Sequence, residues 1–485
     1  MLISMRAENS GTARKRSRAA DSARRMSVER LEDRVLMSAD SVLDWNAVAL
    51  GAVAADHSVA TPAQGGPTRT ARALAIVHGA MFDAANAIDH SFTSYLVHRN
   101  GPKRASIDAA VAQAAHDTLA NLYPQQTATF DAALAATLAG VPDGPNEKKG
   151  IAIGRVVAKK TLNARADDGS ALDPPYTEGT LPGEHRQDPL HPTQGFLTPG
   201  WGSVTPFAMT DGAQFRSEAP PLLSSAEYAT AFNDVKVVGA DDAETSDRDG
   251  NGMPDRTPEQ TVTGIFWGYD GSPGLGTPPR LYNQIARVIA VQQGNTEIQN
   301  ARMFALINIA MADAGIASWE TKYVFNFWRP VIGVREADPG TGPSGLGDGN
   351  AATTAEAGWS PLGAPCSNDC GAVTNFTPPF PAYTSGHATF GAAMFMTLTN
   401  FYGRDNIAFT FTSDEFNGVT TDQNGNVRPV VTRTYSRLSE AAEENGQSRI
   451  YLGIHWVFDK TAGIAQGNAI ADYVFQNFLR PRAAN

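Results

Sequence analysis

Residues 71–92 read ARALAIVHGAMFDAANAIDHSF, and the apolar side chains recur every three or four positions. The same spacing returns in ASIDAAVAQAAHDTLANLY (105–123), QTATFDAALAATLAGV (126–141), RLYNQIARVIAVQQ (280–293) and ARMFALINIAMADAGIASW (301–319). That period places an apolar stripe on one side of a helix, and a stripe must be covered by another apolar surface. Alanine has the highest intrinsic helix propensity and lets neighbouring helices approach closely. Further helical patterns fall at 387–402 and 437–453, with a last helix near 460–479. The fold class expected is mainly α: packed helices joined by long irregular loops.

Residues 165–260 are polar and rich in Pro and Gly, and predict a long excursion over the surface. Convincing strand alternation is confined to GVTTDQNGNVRPVVTRTY (418–435), which predicts at most one short β-hairpin. With 485 residues the chain is long enough for a large core. No run of 18 apolar residues exists, so no transmembrane segment is expected. The organisation expected is a leader at 1–37, an N-terminal helical region at 38–225 and a catalytic helical region at 226–485.

The formal charge is −11. Residues 1–37 hold nine Lys/Arg and five Asp/Glu, so 9 − 5 = +4, which leaves −15 for the rest. An acidic body argues against nucleic acid as a partner. Any anion it binds must meet a local cluster of cations. The basic leader has no packed-core pattern and reads as a targeting or processing segment, or as a disordered tail. Its end, RRMSVERLEDRVLMS, resembles a recurring N-terminal segment of surface-directed bacterial proteins. The location expected is therefore extracellular or at the cell surface, with the periplasm as the alternative. Cys366 and Cys370 are the only cysteines, too few for an all-cysteine zinc site. They read as loop thiols, or as a small disulfide loop in an oxidising compartment.

DRDGNGMPD places Asp247, Asp249, Asn251 and Asp255 around Gly252. Oxygen ligands at alternating positions resemble half of a calcium loop, but the closing Glu is missing. Calcium and a solvated turn both stand as readings.

Three stretches carry groups suited to an anion. In KYVFNFWRP, Lys322 and Arg329 are seven residues apart, which on one helix puts both on one face. Pro330 would end or bend that helix. Tyr323, Phe325, Phe327 and Trp328 lie between or beside the two cations, so the face is not open surface, and buried cations need an anion. In PFPAYTSGHATFGAA, Pro378, Pro379 and Pro381 keep the start out of a helix. Ser385 can donate its hydroxyl, Gly386 lets a backbone N–H approach an oxyanion, and a helix starting near His387 aims its positive end there. In SRIYLGIHWVFDK, Arg449 offers a planar fork of donors. His455 follows six residues on and Asp459 one helical turn later, placed to orient the imidazole. Arg449 and His455 would diverge by about 120° on an unbroken helix, so a break is expected near Gly453.

Together the pattern KxxxxxxRP, SGH, SRxxxxxHxxxD resembles the vanadium-dependent haloperoxidases, of the type 2 phosphatidic acid phosphatase superfamily. Thr384 stands where that family usually has Pro. FWGYDGSPGLGTPPRLYNQIARVIA and DAGIASWETKYVFNFWRP look like the chloroperoxidase branch. The resemblance is good over roughly 225–480 and only generically helical before that. It implies an all-α fold built around two four-helix bundles, with vanadate as cofactor. It implies that His455 is the vanadium ligand and that Lys322, Arg329, Arg449, Ser385 and Gly386 hold the oxygens. His387 would be the acid–base residue, with Lys322 polarising peroxide and Asp459 behind His455. Asp270 would pair with Arg449, and Trp319 and Phe380 would line the halide pocket. Bromide-preferring algal relatives carry a second histidine at the Phe380 position. Partners implied are hydrogen peroxide, a halide (bromide or iodide, with chloride open) and a small organic acceptor.

The same residues would serve a soluble acid phosphatase. There His455 would form a phosphohistidine and His387 would protonate the leaving group. A surface-attached oxyanion binder without catalysis is a third reading, which the intact His387 and His455 oppose.

Overall fold

The structure, a computed structural model, describes residues 40–371 and 373–482. The leader at 1–37 lies outside them. Along the first half run α1 (Ser41–Asp56), α2 (Pro67–Asp89), α3 (Ile107–Leu122), α4 (Thr127–Ala139) and α5 (Pro145–Ala164). After the excursion come α6 (Ala226–Val238), α7 (Pro258–Phe266), α8 (Pro278–Gln293), α9 (Glu297–Phe325) and the single turn α10 (Pro330–Gly333). The second half closes with α11 (Gly386–Tyr402), α12 (Leu438–Tyr451) and α13 (Val457–Asn477). The sheet among the described residues is the pair β1 (Phe409–Asn417) and β2 (Val430–Tyr435), antiparallel. The mainly α expectation holds.

Helix α9 is the axis of the molecule. It packs on α2 from the first half and on α11 and α13 from the second. It is long and apolar enough in composition to cross a membrane, but its apolar stretch is wholly buried within the fold. A helix apolar all round is what the centre of a large helical protein needs. In the first half, α3, α5 and α2 pack on one another. In the second, α11 is sandwiched between α9, α12 and α13.

The closest of these contacts depends on two glycines of α13. A Cβ on Gly467 would lie 2.3 Å from the Thr389 carbonyl oxygen, and one on Gly463 would lie 2.9 Å from that of Ser385. Backbone therefore meets backbone where α13 passes the start of α11, and this brings the 455–459 segment beside Ser385–His387. The break expected near Gly453 is present: α12 stops at Tyr451 and Gly453 takes φ 71°.

Three local expectations are corrected. Lys322 and Arg329 do not share a helix face. The helix ends at Phe325 because Asn326 adopts the left-handed conformation (φ 51°) as its C-cap, and Arg329 is the N-cap of α10. Residues 165–260 are not one uninterrupted excursion: Ser225 accepts the Tyr228 N–H and starts α6 within them. The hairpin begins earlier than expected, its first strand being FTFTSDEFN, with Phe409 and Phe411 buried on one face. The 418–429 stretch is its long connection, pinched by a Thr421–Val427 bridge.

Candidate active site

Each chemical group sits at an element end, where backbone polar groups are unpaired and side chains are held from both sides. Trp319 and Lys322 come from the last turns of α9, Arg329 from the cap of α10 and Arg449 from the end of α12. Ser385, Gly386 and His387 open α11, and His455 precedes α13.

His455 is fixed by both of its nitrogens. Nδ1 lies 2.8 Å from Asp459 Oδ2, and Arg329 Nη1 lies 2.9 Å from Nε2. A guanidinium can only donate, so Nε2 holds the lone pair and Nδ1–H donates to Asp459. Asp459 Oδ2 also accepts the Trp456 N–H at 3.0 Å, so one carboxylate oxygen caps α13 and sets the imidazole tautomer. Burial, then the charges of Arg329, Lys322 and Arg449, lower the His455 pKa well below the usual value and keep it neutral.

His387 Nε2 lies 2.8 Å from the Gly268 carbonyl oxygen. A carbonyl only accepts, so Nε2 carries the proton and Nδ1 is the basic nitrogen of the neutral ring. Burial and then Arg449 push the ring's pKa down to about 3. Arg449 Nη2 donates to Asp270 Oδ1 at 2.6 Å, and the same oxygen lies 3.9 Å from His387 Nε2.

Lys322 does not reach out as expected, and Thr384 beside it also turns inward. Lys322 is fully buried, and its Nζ donates to the carbonyls of Pro381 (2.7 Å), Ala382 (3.0 Å) and Thr384 (2.5 Å). All three of its donors are spent on the 381–384 wall, so its charge reaches the site through space rather than by contact. Thr384 does not cap α11. Its hydroxyl donates to Gln466 Oε1 at 2.9 Å, and Ser385 is the N-cap, accepting the Ala388 N–H. The Ser385 hydroxyl proton remains available to an anion.

Asp270, Trp319, Phe380, Gly386, His387, Arg449 and His455 line one cavity of about 490 Å³. The Trp319 and Phe380 ring centroids lie 4.7 Å apart with the planes tilted by 49°, and Arg329 lies 4.9 Å from the Phe380 ring centroid. The Asp247–Asp255 turn does not line this cavity. Sequence reasoning missed the wall supplied by the first half of the chain, which includes His57, Pro62 and Arg69. No motif marks it. The sole local sign is a cation in the first turn of α2.

In formal charge the cage carries Lys322, Arg329 and Arg449 against Asp270 and Asp459, so 3 − 2 = +1 with neutral imidazoles; all but the half-buried Asp270 are buried. Arg329 Nη2 and Arg449 Nε and Nη1 are buried without a partner. Orphaned cationic donors are costly unless an anion meets them. The residues present therefore fit vanadate, a phosphate-shaped oxyanion, with His455 Nε2 as the nitrogen able to ligate it.

Fold and cage together define a helical oxyanion-binding enzyme whose nucleophilic or ligating atom is a buried imidazole nitrogen. Residues 30–195 match the vanadium chloroperoxidase N-terminal domain, and residues 302–483 match the vanadium chloroperoxidase second helical-bundle domain. The chain is 34% identical over 508 residues to vanadium chloroperoxidase of Curvularia inaequalis, covering 87% of this chain and 79% of that one. Its fold is similar to that of a bacterial vanadium-dependent iodoperoxidase, with TM-score 0.69, 20% identity and coverage of 91% and 98% of the two chains. It is also similar to a holo-type bacterial vanadium-dependent chloroperoxidase, with TM-score 0.62, 17% identity and coverage of 87% and 94%. The chain belongs to the vanadium chloroperoxidase family. The match at 30–195 widens the resemblance, which the sequence motifs carried from about 225 onward.

Proposed function

We propose that the protein is a vanadium-dependent haloperoxidase, an oxidoreductase that uses hydrogen peroxide to oxidise a halide to a hypohalous-acid-like species. The observation that carries this is the His455 tautomer: an Nε2 lone pair held between Asp459 and Arg329, beside guanidinium nitrogens with no partner. Vanadate, when bound, supplies Lewis-acid activation of peroxide toward halide.

The residues of the chain do the rest. Arg329 and Arg449, with the Ser385 hydroxyl and the Gly386 N–H, would hold the oxyanion. Lys322 fixes the 381–384 wall and adds positive potential. His387, neutral over the whole ordinary pH range, takes a proton at Nδ1 from incoming peroxide. Gly268 and Asp270 steady the ring as it does so. Trp319 and Phe380 exclude water from the halide's approach, which strengthens every charge interaction inside.

Bromide and iodide are the halides we assign, with chloride also oxidised, and a small organic molecule is the acceptor. We also place the protein outside the cytoplasm and in the type 2 phosphatidic acid phosphatase superfamily. The Cys366–Cys370 bond and the motif spacing support these two readings. For the DRDGNGMPD turn we propose a solvated turn rather than a calcium site. Asp247, Asp249 and Asp255 do bring ligand oxygens within 4.8 Å of one another. However, the Arg248 backbone N–H donates to Asp255 at 2.8 Å and its guanidinium pairs with the same carboxylate at 3.3 Å. A rise in melting temperature on adding calcium would reverse this.

The test of the main reading is peroxide-dependent oxidation of bromide and iodide with and without added vanadate. A parallel assay follows hydrolysis of p-nitrophenyl phosphate by vanadate-free protein. Halide oxidation that requires vanadate is the expected result. Phosphatase turnover with no halide oxidation would overturn it in favour of the phosphohistidine chemistry.

A further inference from the structure

The cavity that reaches His455 is larger than its two small substrates need. At about 490 Å³ it falls in the ~300–1,000 Å³ range of sites for organic molecules. Vanadate, peroxide and a halide together fill on the order of several water volumes, each about 30 Å³, still well short of it. Its remaining wall is apolar and aromatic, built from Leu197, Phe376, Pro378, Pro379 and Phe390 around the residues already described.

Arg69 is the feature of that wall that internal needs leave unexplained. It is half-buried and lines the cavity. Among the described residues it has no carboxylate within 4.0 Å, no side-chain hydrogen bond and no ring beneath it. It is the third residue of α2, whose first turn holds no acidic residue. A cation there opposes the helix dipole, so local stability does not account for it. Its neighbour His57 offers no alternative charge. Nδ1 donates to the Val53 carbonyl at 2.9 Å, Nε2 accepts the Gly66 N–H at 3.3 Å, and burial lowers its pKa. The other charged groups facing the cavity, Arg449 and Asp270, are paired with each other.

We infer that Arg69 anchors the organic acceptor and that the acceptor is an electron-rich aromatic bearing a carboxylate. This rests on the haloperoxidase reading and deepens it, since halogen transfer then takes place in the cavity rather than in bulk solvent. The transfer is HOX + ArH → ArX + H₂O. The C–X bond forms as the O–X and C–H bonds break, and the ring proton leaves with the hydroxide as water. The aromatic wall of Phe376, Phe390 and the prolines takes the ring, and the free guanidinium takes the carboxylate.

The probes are 3-hydroxybenzoate and its methyl ester, equal in ring chemistry and different in charge. Calorimetry on the vanadate-free protein should show 3-hydroxybenzoate binding that weakens about ten-fold or more in Arg69→Met, as loss of a charge-assisted hydrogen bond implies, and recovers in part in Arg69→Lys. In the vanadate-loaded enzyme, the kcat/KM ratio of acid to ester should fall by the same factor in Arg69→Met. Equal affinity of wild type and Arg69→Met for the acid would overturn the assignment. So would a bromide KM that rises while the acid-to-ester ratio stays fixed, which would make Arg69 a guide for halide. If acceptor-free bromide oxidation fails in the wild type, the haloperoxidase reading falls. The calorimetric result then still decides whether Arg69 binds the carboxylate.

Discussion

Asp459 Oδ2 lies 2.8 Å from His455 Nδ1, and this one contact decides which imidazole nitrogen faces the cavity. Replacing Asp459 with Ala frees the ring to adopt the other tautomer and removes a cap of α13. Vanadate affinity is expected to fall about 10–100-fold. His455→Ala removes the ligating atom itself and is expected to abolish binding. Titration calorimetry with vanadate, with circular dichroism to establish folding, reads both. Stoichiometric vanadium retained by His455→Ala would remove His455 from its assigned place.

His387→Ala should keep vanadate and lose turnover, by about 10²–10⁴-fold as is usual for a general acid–base residue. The ring touches the chain through Gly268 and lies near Asp270, and neither contact holds the cage together. Burial pushes its pKa down to about 3, so wild-type activity should show no histidine titration from this ring between pH 4 and 8. A pH–rate profile of bromide oxidation checks this. An inflection near 6.5 that disappears in His387→Ala would contradict it.

Phe380 lies 4.7 Å from Trp319 by ring centroids and forms the aromatic wall beside the cations. Phe380→His puts a hydrogen-bonding, solvating ring there and should favour bromide over chloride. Peroxide-dependent chlorination at mildly acidic pH, wild type against variant, is the measurement. Improved chlorination in the variant would show that Phe380 does not set halide choice.

His78 provides a stability test remote from the site. It is buried on α2, its Nδ1 donates to the Leu74 carbonyl at 2.8 Å, and its Nε2 accepts from Asn46 Nδ2 at 2.8 Å. Burial lowers its pKa to about 4. Between pH 6.5 and 4 the unfolded chain takes a proton that the folded chain refuses, so stability falls as pH falls. The loss from this ring is about 3 kcal/mol over that window. Asp313, raised to about 6 by burial, works in the opposite direction: its folded form keeps a proton that the unfolded form loses, so stability falls as pH rises from 3.8 to 6. In His78→Gln the difference in unfolding free energy between pH 7 and pH 4, from urea titrations, should shrink by the His78 amount. An unchanged difference would show that the acid sensitivity lies elsewhere.

Cys366 and Cys370 are joined, with Cα atoms 5.5 Å apart. Native protein should therefore react with no thiol reagent, and Cys370→Ala should lose about 2 kcal/mol, the chain-entropy value for so short a loop. Two thiols titrating in the native protein would oppose both the bond and the placement outside the cytoplasm.

The helices and the anion-binding stretches were legible because each is a local pattern: period, cap and spacing lie within a few residues. The break at Gly453 was legible for the same reason, since Arg449 and His455 could not otherwise converge. The seven-residue spacing of Lys322 and Arg329 points to one helix, but Asn326 between them takes the left-handed conformation that ends it, a local signal that outweighs the spacing. The first strand of the hairpin was overlooked although FTFTSDEFN alternates. Arg69 and the spent donors of Lys322 could not be read at all. Both depend on which distant backbone lies opposite, and that is settled only when α2 and the 378–384 segment pack against α9.

The backbone contact of Gly463 and Gly467 with α11 gives the site an unusual kind of vulnerability. His387 opens α11 and His455 lies just before α13, and the gap between them is set about two to three turns further along α13 by two side chains that do not exist. A single methyl at position 467 would act as a wedge. It would leave every polar group in the cage chemically intact and widen the gap across which the two rings must cooperate. The width of the reaction chamber is thus written in a helix seam rather than in the chamber's own lining.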